Sequence, residues 1–197
     1  MKRAAQSLLL AAGLALSLAA QANPEAYPNA GHEAPSSSFV AAAGGELVAY
    51  YTGLSGGYTN LVGLRINGVD GPAGLSNHGT AYGTPFALGT VAAGDSLVFF
   101  IDATDYDGKT TRYYSDKSLN ADHVNHAWAN AYAGDAQVPA GVSLAFEDLA
   151  NGGDFNYGDH GFVVAGVTAI PAPVPEPASW MLLLGGAAGL ATLRRRR

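Results

Sequence analysis

Leu144-Ala145-Phe146-Glu147-Asp148-Leu149-Ala150-Asn151-Gly152-Gly153-Asp154-Phe155-Asn156-Tyr157-Gly158-Asp159-His160-Gly161-Phe162-Val163-Val164 holds two short apolar runs separated by a loop of acids and glycines. Apolar and β-branched runs of this length, stopped by Gly, Asn and Asp, read as strands joined by a polar connection. The same punctuation extends backwards through the chain. Further strands are expected at Gly45 to Thr52, Leu61 to Ile66, Pro85 to Val91, Ser96 to Ala103, Thr110 to Tyr114 and His126 to Ala133. The two runs of the opening stretch complete the set as Val142 to Glu147 and Phe162 to Thr168. Asn67-Gly68 marks a tight hairpin turn, and Ser96 to Ile101, nearly all apolar, reads as a central strand covered on both faces. No stretch between the two ends of the chain has sustained helical periodicity with caps. The expected fold is all-β, a two-sheet β-sandwich of jelly-roll type.

The ends of the chain read differently. Lys2 and Arg3 precede an apolar run from Leu8 to Ala20, and Ala20 and Ala22 place small residues at the -3 and -1 positions of a cleavage site. Residues 1–22 are therefore expected to be a signal peptide, too short to span a membrane, removed by signal peptidase. Residues 23–38, with prolines at 24, 28 and 35, are expected to be a loose N-terminal lead, and residues 39–168 the domain. Residues 169–177 form a Pro-rich linker that ends in Val174, Pro175, Glu176 and Pro177. Prolines at 171, 173, 175 and 177 forbid helix and favour an extended strip that a protease can grip. Residues 178–197 then combine an uncharged run, Ala178 to Leu193, with Arg194, Arg195, Arg196 and Arg197. At ~1.5 Å per residue that run is a marginal transmembrane helix, with the arginines in the cytoplasm and the domain on the far side.

Without the two ends, residues 23–175 keep four basic side chains (Arg65, Lys109, Arg112 and Lys117) against fifteen acidic ones, a net of -11 where the whole chain carries -6. Such a body repels phosphate backbones, which excludes nucleic acid as an expected partner, and attracts divalent cations. The absence of cysteine removes disulfides, thiolate metal sites and a Cys nucleophile.

Within the opening stretch, Glu147, Asp148, Asp154, Asn156 and Asp159 place five oxygen-bearing side chains on a glycine-rich loop. Calcium takes ~6 to 8 hard oxygen ligands in flexible geometry, so these residues are the candidate calcium ligands. The competing reading has them capping turns or facing water. Asp102, Asp105 and Asp107-Gly108 read as a hairpin between strands. His123, His126 and His160 read as partly exposed loop residues and not as transition-metal ligands. Tyr50, Tyr51, Tyr58, Tyr82, Tyr113, Tyr114, Trp128 and Tyr132 are either packing residues or a sugar-stacking face. No Gly-x-Ser-x-Gly elbow, His-Glu-x-x-His pair or phosphate loop is present. Glu147 and Asp148, adjacent in a predicted strand, are expected to point to opposite faces, so catalysis is not expected.

Val174-Pro175-Glu176-Pro177 followed by the short apolar run and the arginine cluster resembles the PEP-CTERM sorting signal. The resemblance implies recognition and cleavage by exosortase, transient inner-membrane anchoring facing the periplasm, and delivery to the cell surface or beyond, among exopolysaccharide and envelope components. The opening stretch, with Leu119-Asn120-Ala121-Asp122-His123-Val124-Asn125-His126-Ala127 upstream, is similar to the DUF4114 family of bacterial surface proteins over Tyr113 to Val167. Gly158 departs from that pattern, which usually has an Asn or Asp there. The expected role is a non-catalytic exported envelope or matrix protein with a calcium-binding loop; the alternative is a carbohydrate-binding module acting on exopolysaccharide.

Overall fold

A computed structural model describes residues 26–53 and 56–171. The signal peptide with Ala20 and Ala22, the motif Val174 to Pro177, the apolar run and Arg194 to Arg197 lie outside the described residues. Eleven strands are described: β1 (Ser37–Ala41), β2 (Gly45–Gly53), β3 (Thr59–Ile66), β4 (Val69–Ser76), β5 (Pro85–Val91), β6 (Ser96–Thr104), β7 (Thr110–Tyr114), β8 (Ala127–Tyr132), β9 (Gly141–Phe146), β10 (His160–Val164) and β11 (Val167–Pro171). Among the described residues the only helical elements are short 3-10 turns at Lys117–Leu119 and Ala150–Gly152, and none is long and apolar enough to cross a membrane.

The strands form two antiparallel sheets. One runs β11-β1-β6-β3-β4, with β7 also paired to β6; the other runs β5-β2-β10-β9-β8. Their inner faces meet in one apolar core, to which Leu64, Leu97, Phe99 and Ile101 come from the first sheet and Leu47, Leu144, Phe146 and Phe162 from the second. Phe99 and Phe162 touch across the interface with ring centroids 5.8 Å apart. The all-β, two-sheet expectation holds. Hairpins β3–β4 and β6–β7 and the meander β8–β9–β10 keep sequence neighbours in one sheet, and the other six consecutive connections cross between the sheets.

Strand β6 owes its continuous apolar run to cover on both faces. One edge pairs with β3 along its length, and the other is shared by β1 at Leu97 and β7 from Phe100 onward. Leu97, Phe99 and Ile101 enter the core, and Phe100 on the opposite face is fully buried as well. The Arg112 guanidinium lies 3.8 Å from the centre of the Phe100 ring, held by Asp102 at 2.7 Å and Asp70 at 2.9 Å, and Gly63 on β3 leaves room for the ring because a Cβ there would overlap it.

Asn67 and Gly68 turn β3 into β4 with φ of 47° and 85°, the left-handed pair of a type I′ hairpin. Two strands escape the pattern of the sequence: β1, which is short, and β4, which carries Gly and Pro as an edge strand can. The single run expected at Phe162 to Thr168 is two strands, since the chain bends at Gly166 (φ 77°) and crosses from the second sheet to the first.

The stretch expected to be a loose lead is held: Ser37 and Ser38 already belong to β1 of the first sheet, and the residues before them pack against the second. The Ala34 amide donates to Tyr157 Oη at 2.8 Å, and Asn125 Nδ2 donates to the Ala34 carbonyl at 3.0 Å. The Tyr27 ring packs edge-on against Tyr157, 4.9 Å between centroids. This segment covers Ala145 on the outer face of β9, which explains why β9 is buried on both faces.

Candidate metal centre

Strands β9 and β10 pair antiparallel with Phe146 opposite His160. The residues just beyond that pair, Glu147 and Asp159, must therefore leave the ladder side by side, and the Asp159 amide donates to the Phe146 carbonyl at 3.1 Å. Convergence of the two acids is a consequence of register. Because β9 ends at Phe146, Glu147 and Asp148 do not alternate across a strand as expected. The Asp148 amide donates to Asp159 Oδ2 at 3.0 Å, and one carboxylate oxygen from each of Glu147, Asp148 and Asp159 lies within 4.8 Å of the others.

Glu147 and Asp148 are 2% and 3% exposed. Burial, then the nearby Asp159 charge, raises the Glu147 pKa to about 8. Burial also raises that of Asp148 to about 6, opposed by a hydrogen bond from Asn60. Asn60 Nδ2 donates to Asp148 Oδ2 at 2.8 Å. Glu147 Oε2 has no hydrogen-bond partner, and neither has Asn60 Oδ1.

The remaining two candidates stand apart. Asp154 and Asn156 are exposed, and Asn156 directs its backbone N–H (3.0 Å) and Nδ2 (2.7 Å) to the Asp154 carboxylate. The Asp154 charge still contributes to the Glu147 shift. A Cβ on Gly158 would strike Asn156 Oδ1, so the missing side chain there leaves Asn156 free to turn toward Asp154.

Buried groups brace the loop from behind. His126 Nδ1 meets the Glu147 carbonyl at 2.9 Å and Nε2 meets Asp122 Oδ2 at 3.0 Å, while the ring stacks on Tyr113 with centroids 4.0 Å apart. Asp122 Oδ2 also accepts the Asn151 amide at 2.8 Å. Burial works against ionisation of Asp122, but these bonds outweigh it and hold its carboxyl below the usual range. At Gly153 (φ 50°) a Cβ would come within 2.5 Å of Glu147 Oε1.

The histidine expectation needs correction. His123 is exposed, but His126 and His160 are fully buried. The His160 ring lies in the core, edge-on to Tyr51 at 5.6 Å, where burial lowers its pKa to about 3 and keeps it neutral. Asp105 Oδ1 accepts the Asp107 and Lys109 amides at 3.0 and 2.9 Å, and Gly108 has φ 80°, so the second acidic spot is the β6–β7 hairpin. Of the eight aromatics named above, Tyr51, Tyr113 and Tyr132 are buried and the others half-buried. The exposed Tyr106 meets Tyr58 edge-on, 5.4 Å between centroids.

Sequence reasoning missed Asn60 and the bracing role of Asp122. Asn60 precedes an apolar strand far from the loop in the chain, with no local signal. Asp122 and His126 stand four residues apart, a spacing that names no partner.

Residues 91–166 match the family described as Domain of unknown function (DUF4114), and residues 173–197 match the PEP-CTERM protein-sorting motif. The first match begins 22 residues before Tyr113, at the last residue of β5, and includes Glu147, Asp148 and Asp159. No curated protein and no solved structure matches. The sorting motif marks an exported protein whose C-terminal signal is processed by exosortase. The chain thus carries a DUF4114 domain over residues 91–166 and a PEP-CTERM sorting motif over residues 173–197.

Proposed function

We propose that this protein is a non-catalytic component of the cell envelope or extracellular matrix, and that its β-domain binds calcium through Glu147, Asp148 and Asp159. The observation that carries the reading is the buried carboxylate cluster, three oxygens within 4.8 Å of one another, with Glu147 Oε2 lacking any donor. Carboxylates this close repel one another, and each is stabilised by a cation placed between them. An all-oxygen donor set favours a hard ion, and an irregular loop suits calcium better than the strict octahedron of magnesium.

Paired carboxylates are also a glycosidase arrangement, but here burial leaves no face of Glu147 or Asp148 for a sugar ring. A cavity of about 710 Å³ is lined by residues 33–39, 96–98 and 115–117, and by none of the three acids. The carbohydrate-binding reading has less support, since Tyr51, Tyr113 and Tyr132 are buried and Tyr58 and Tyr114 pack edge-on against neighbouring rings. A melting experiment on the exported, processed protein tests the calcium reading. Calcium in millimolar excess should raise the Tm by several degrees over EDTA, as expected for a ligand bound by the native state alone. An identical melt in both conditions refutes it.

A further inference from the structure

We infer that the ion held by Glu147, Asp148 and Asp159 also takes the side-chain oxygen of Asn60, and so ties the two sheets of the sandwich together. The inference rests on the calcium reading above, and extends it to a residue outside the matched region 91–166. Asn60 lies near the start of β3, in the six-stranded sheet, whereas the three carboxylates leave β9 and enter β10, in the five-stranded one.

Asn60 is completely buried, and its backbone is fixed. Its N–H donates to Asn77 Oδ1 at 2.9 Å, and its carbonyl accepts the Asn77 amide at 3.2 Å. The side chain is therefore held against Asp148, to which Nδ2 donates at 2.8 Å. Only half of that amide is used, because Oδ1 has no donor. A buried carbonyl oxygen left unpaired costs ~1–3 kcal/mol, and here two such oxygens, Asn60 Oδ1 and Glu147 Oε2, belong to residues that both adjoin Asp148. A cation among the carboxylates satisfies Glu147 Oε2, and satisfies Asn60 Oδ1 as well if the amide turns to present it toward Asp148.

The ends of an amide are nearly isosteric. Once an ion takes up the Asp148 charge, rotation of the Asn60 amide by half a turn brings its oxygen to the position now held by Nδ2. Asn60 then adds a neutral oxygen to three carboxylates, and backbone carbonyls or water complete the ~6 to 8 oxygens that calcium requires. The approach of the two sheets at this end is already close. The Gly56 amide donates to the Asp159 carbonyl at 3.2 Å, and a Cβ on Gly56 would overlap the Asp159 carboxylate.

Terbium, a luminescent probe for calcium sites, tests the assignment. The number of waters on the ion is read from lifetimes in H₂O and D₂O for the processed wild-type protein and for Asn60→Ala. Loss of a ligand should admit one more water in the variant and weaken calcium binding about tenfold by calorimetry, whereas a residue that only positions Asp148 leaves the water count unchanged. The wild-type protein gives a second measurement that needs no variant to fold. Calcium should shift the Asn60 side-chain carbonyl resonance and end the Nδ2–Asp148 bond. An unchanged water count in Asn60→Ala, or an Asn60 resonance indifferent to calcium, overturns the inference while leaving the carboxylate site intact. A wild-type protein that binds neither ion removes both readings.

Discussion

Replacing Glu147 by Gln should stabilise the calcium-free protein while abolishing its response to calcium. The Glu147 carboxyl has a pKa near 8 in the folded chain against 4.5 when exposed, so folding takes up a proton anywhere between those values. A raised carboxyl pKa contributes stability that is full below about pH 4.5 and is lost as pH climbs through 8. At pH 7 the proton uptake spans ~2.5 units at ~1.4 kcal/mol each, a ceiling of about 3.5 kcal/mol. Because Asp148 and Asp159 share the charge, a gain of about 1–3 kcal/mol is expected for Glu147→Gln in EDTA. Gln keeps the shape of the protonated acid and a donor for Asp159, and carries no charge to neutralise. For a domain of this size the gain is roughly 3–8 °C in Tm. Melting by circular dichroism at pH 5, 6, 7 and 8 in EDTA should show the wild type losing stability with pH and the variant nearly level. Added calcium should then raise only the wild type. A variant less stable than wild type at pH 7 in EDTA, or one that keeps the full calcium shift, would show that Glu147 is not the strained centre of the site.

Three further outcomes are expected. Gly63→Ala pushes a methyl into the Phe100 ring and should cost about 1–3 kcal/mol in urea unfolding without changing the slope; a neutral result would mean that the ring moves freely under Arg112. Tyr157→Phe removes the acceptor of the Ala34 amide and the donor to the Asn125 carbonyl, the latter at 2.9 Å. It should cost about 2 kcal/mol and expose the chain before Ser38 to limited proteolysis, whereas an unchanged digest would show that the segment is held by other contacts. Pro175→Ala combined with Glu176→Ala should leave a longer, membrane-associated precursor on immunoblots of fractionated cells, and normal processing would contradict recognition of the motif by exosortase.

The strands were legible where side chains alternate or where both faces are covered. Pro85–Val91 and Thr110–Tyr114 are found at their expected limits, because Gly, Asp and Asn punctuate them sharply. The division of Phe162 to Thr168 was not legible. A single left-handed glycine carries the chain from one sheet to the other, and nothing in the local pattern distinguishes a crossing from a continuous strand. The acidic loop announced itself by composition, but which acids converge was decided by the Phe146–His160 register, a pairing between strands that local pattern does not state. The same holds for the 26–38 segment, whose small and polar residues read as a tail while its backbone groups are bound by Asn125 and Tyr157.

The cluster also bears on when the domain can fold. A cysteine-free chain has no disulfide to join its sheets, and its two most buried carboxyl groups meet where the sheets approach. Without a cation, folding must either neutralise Glu147 or confine charge there, and both oppose closure at neutral pH. An exported protein must cross a membrane before it folds. On the calcium reading proposed above, such a site would bias the same sequence toward openness where the free ion is scarce and toward closure where it is abundant. Sites tuned to extracellular calcium bind at ~10⁻⁴ to 10⁻³ M, so the calcium affinity of this domain should fall in that range. A nanomolar site would be filled before export and would defeat the argument.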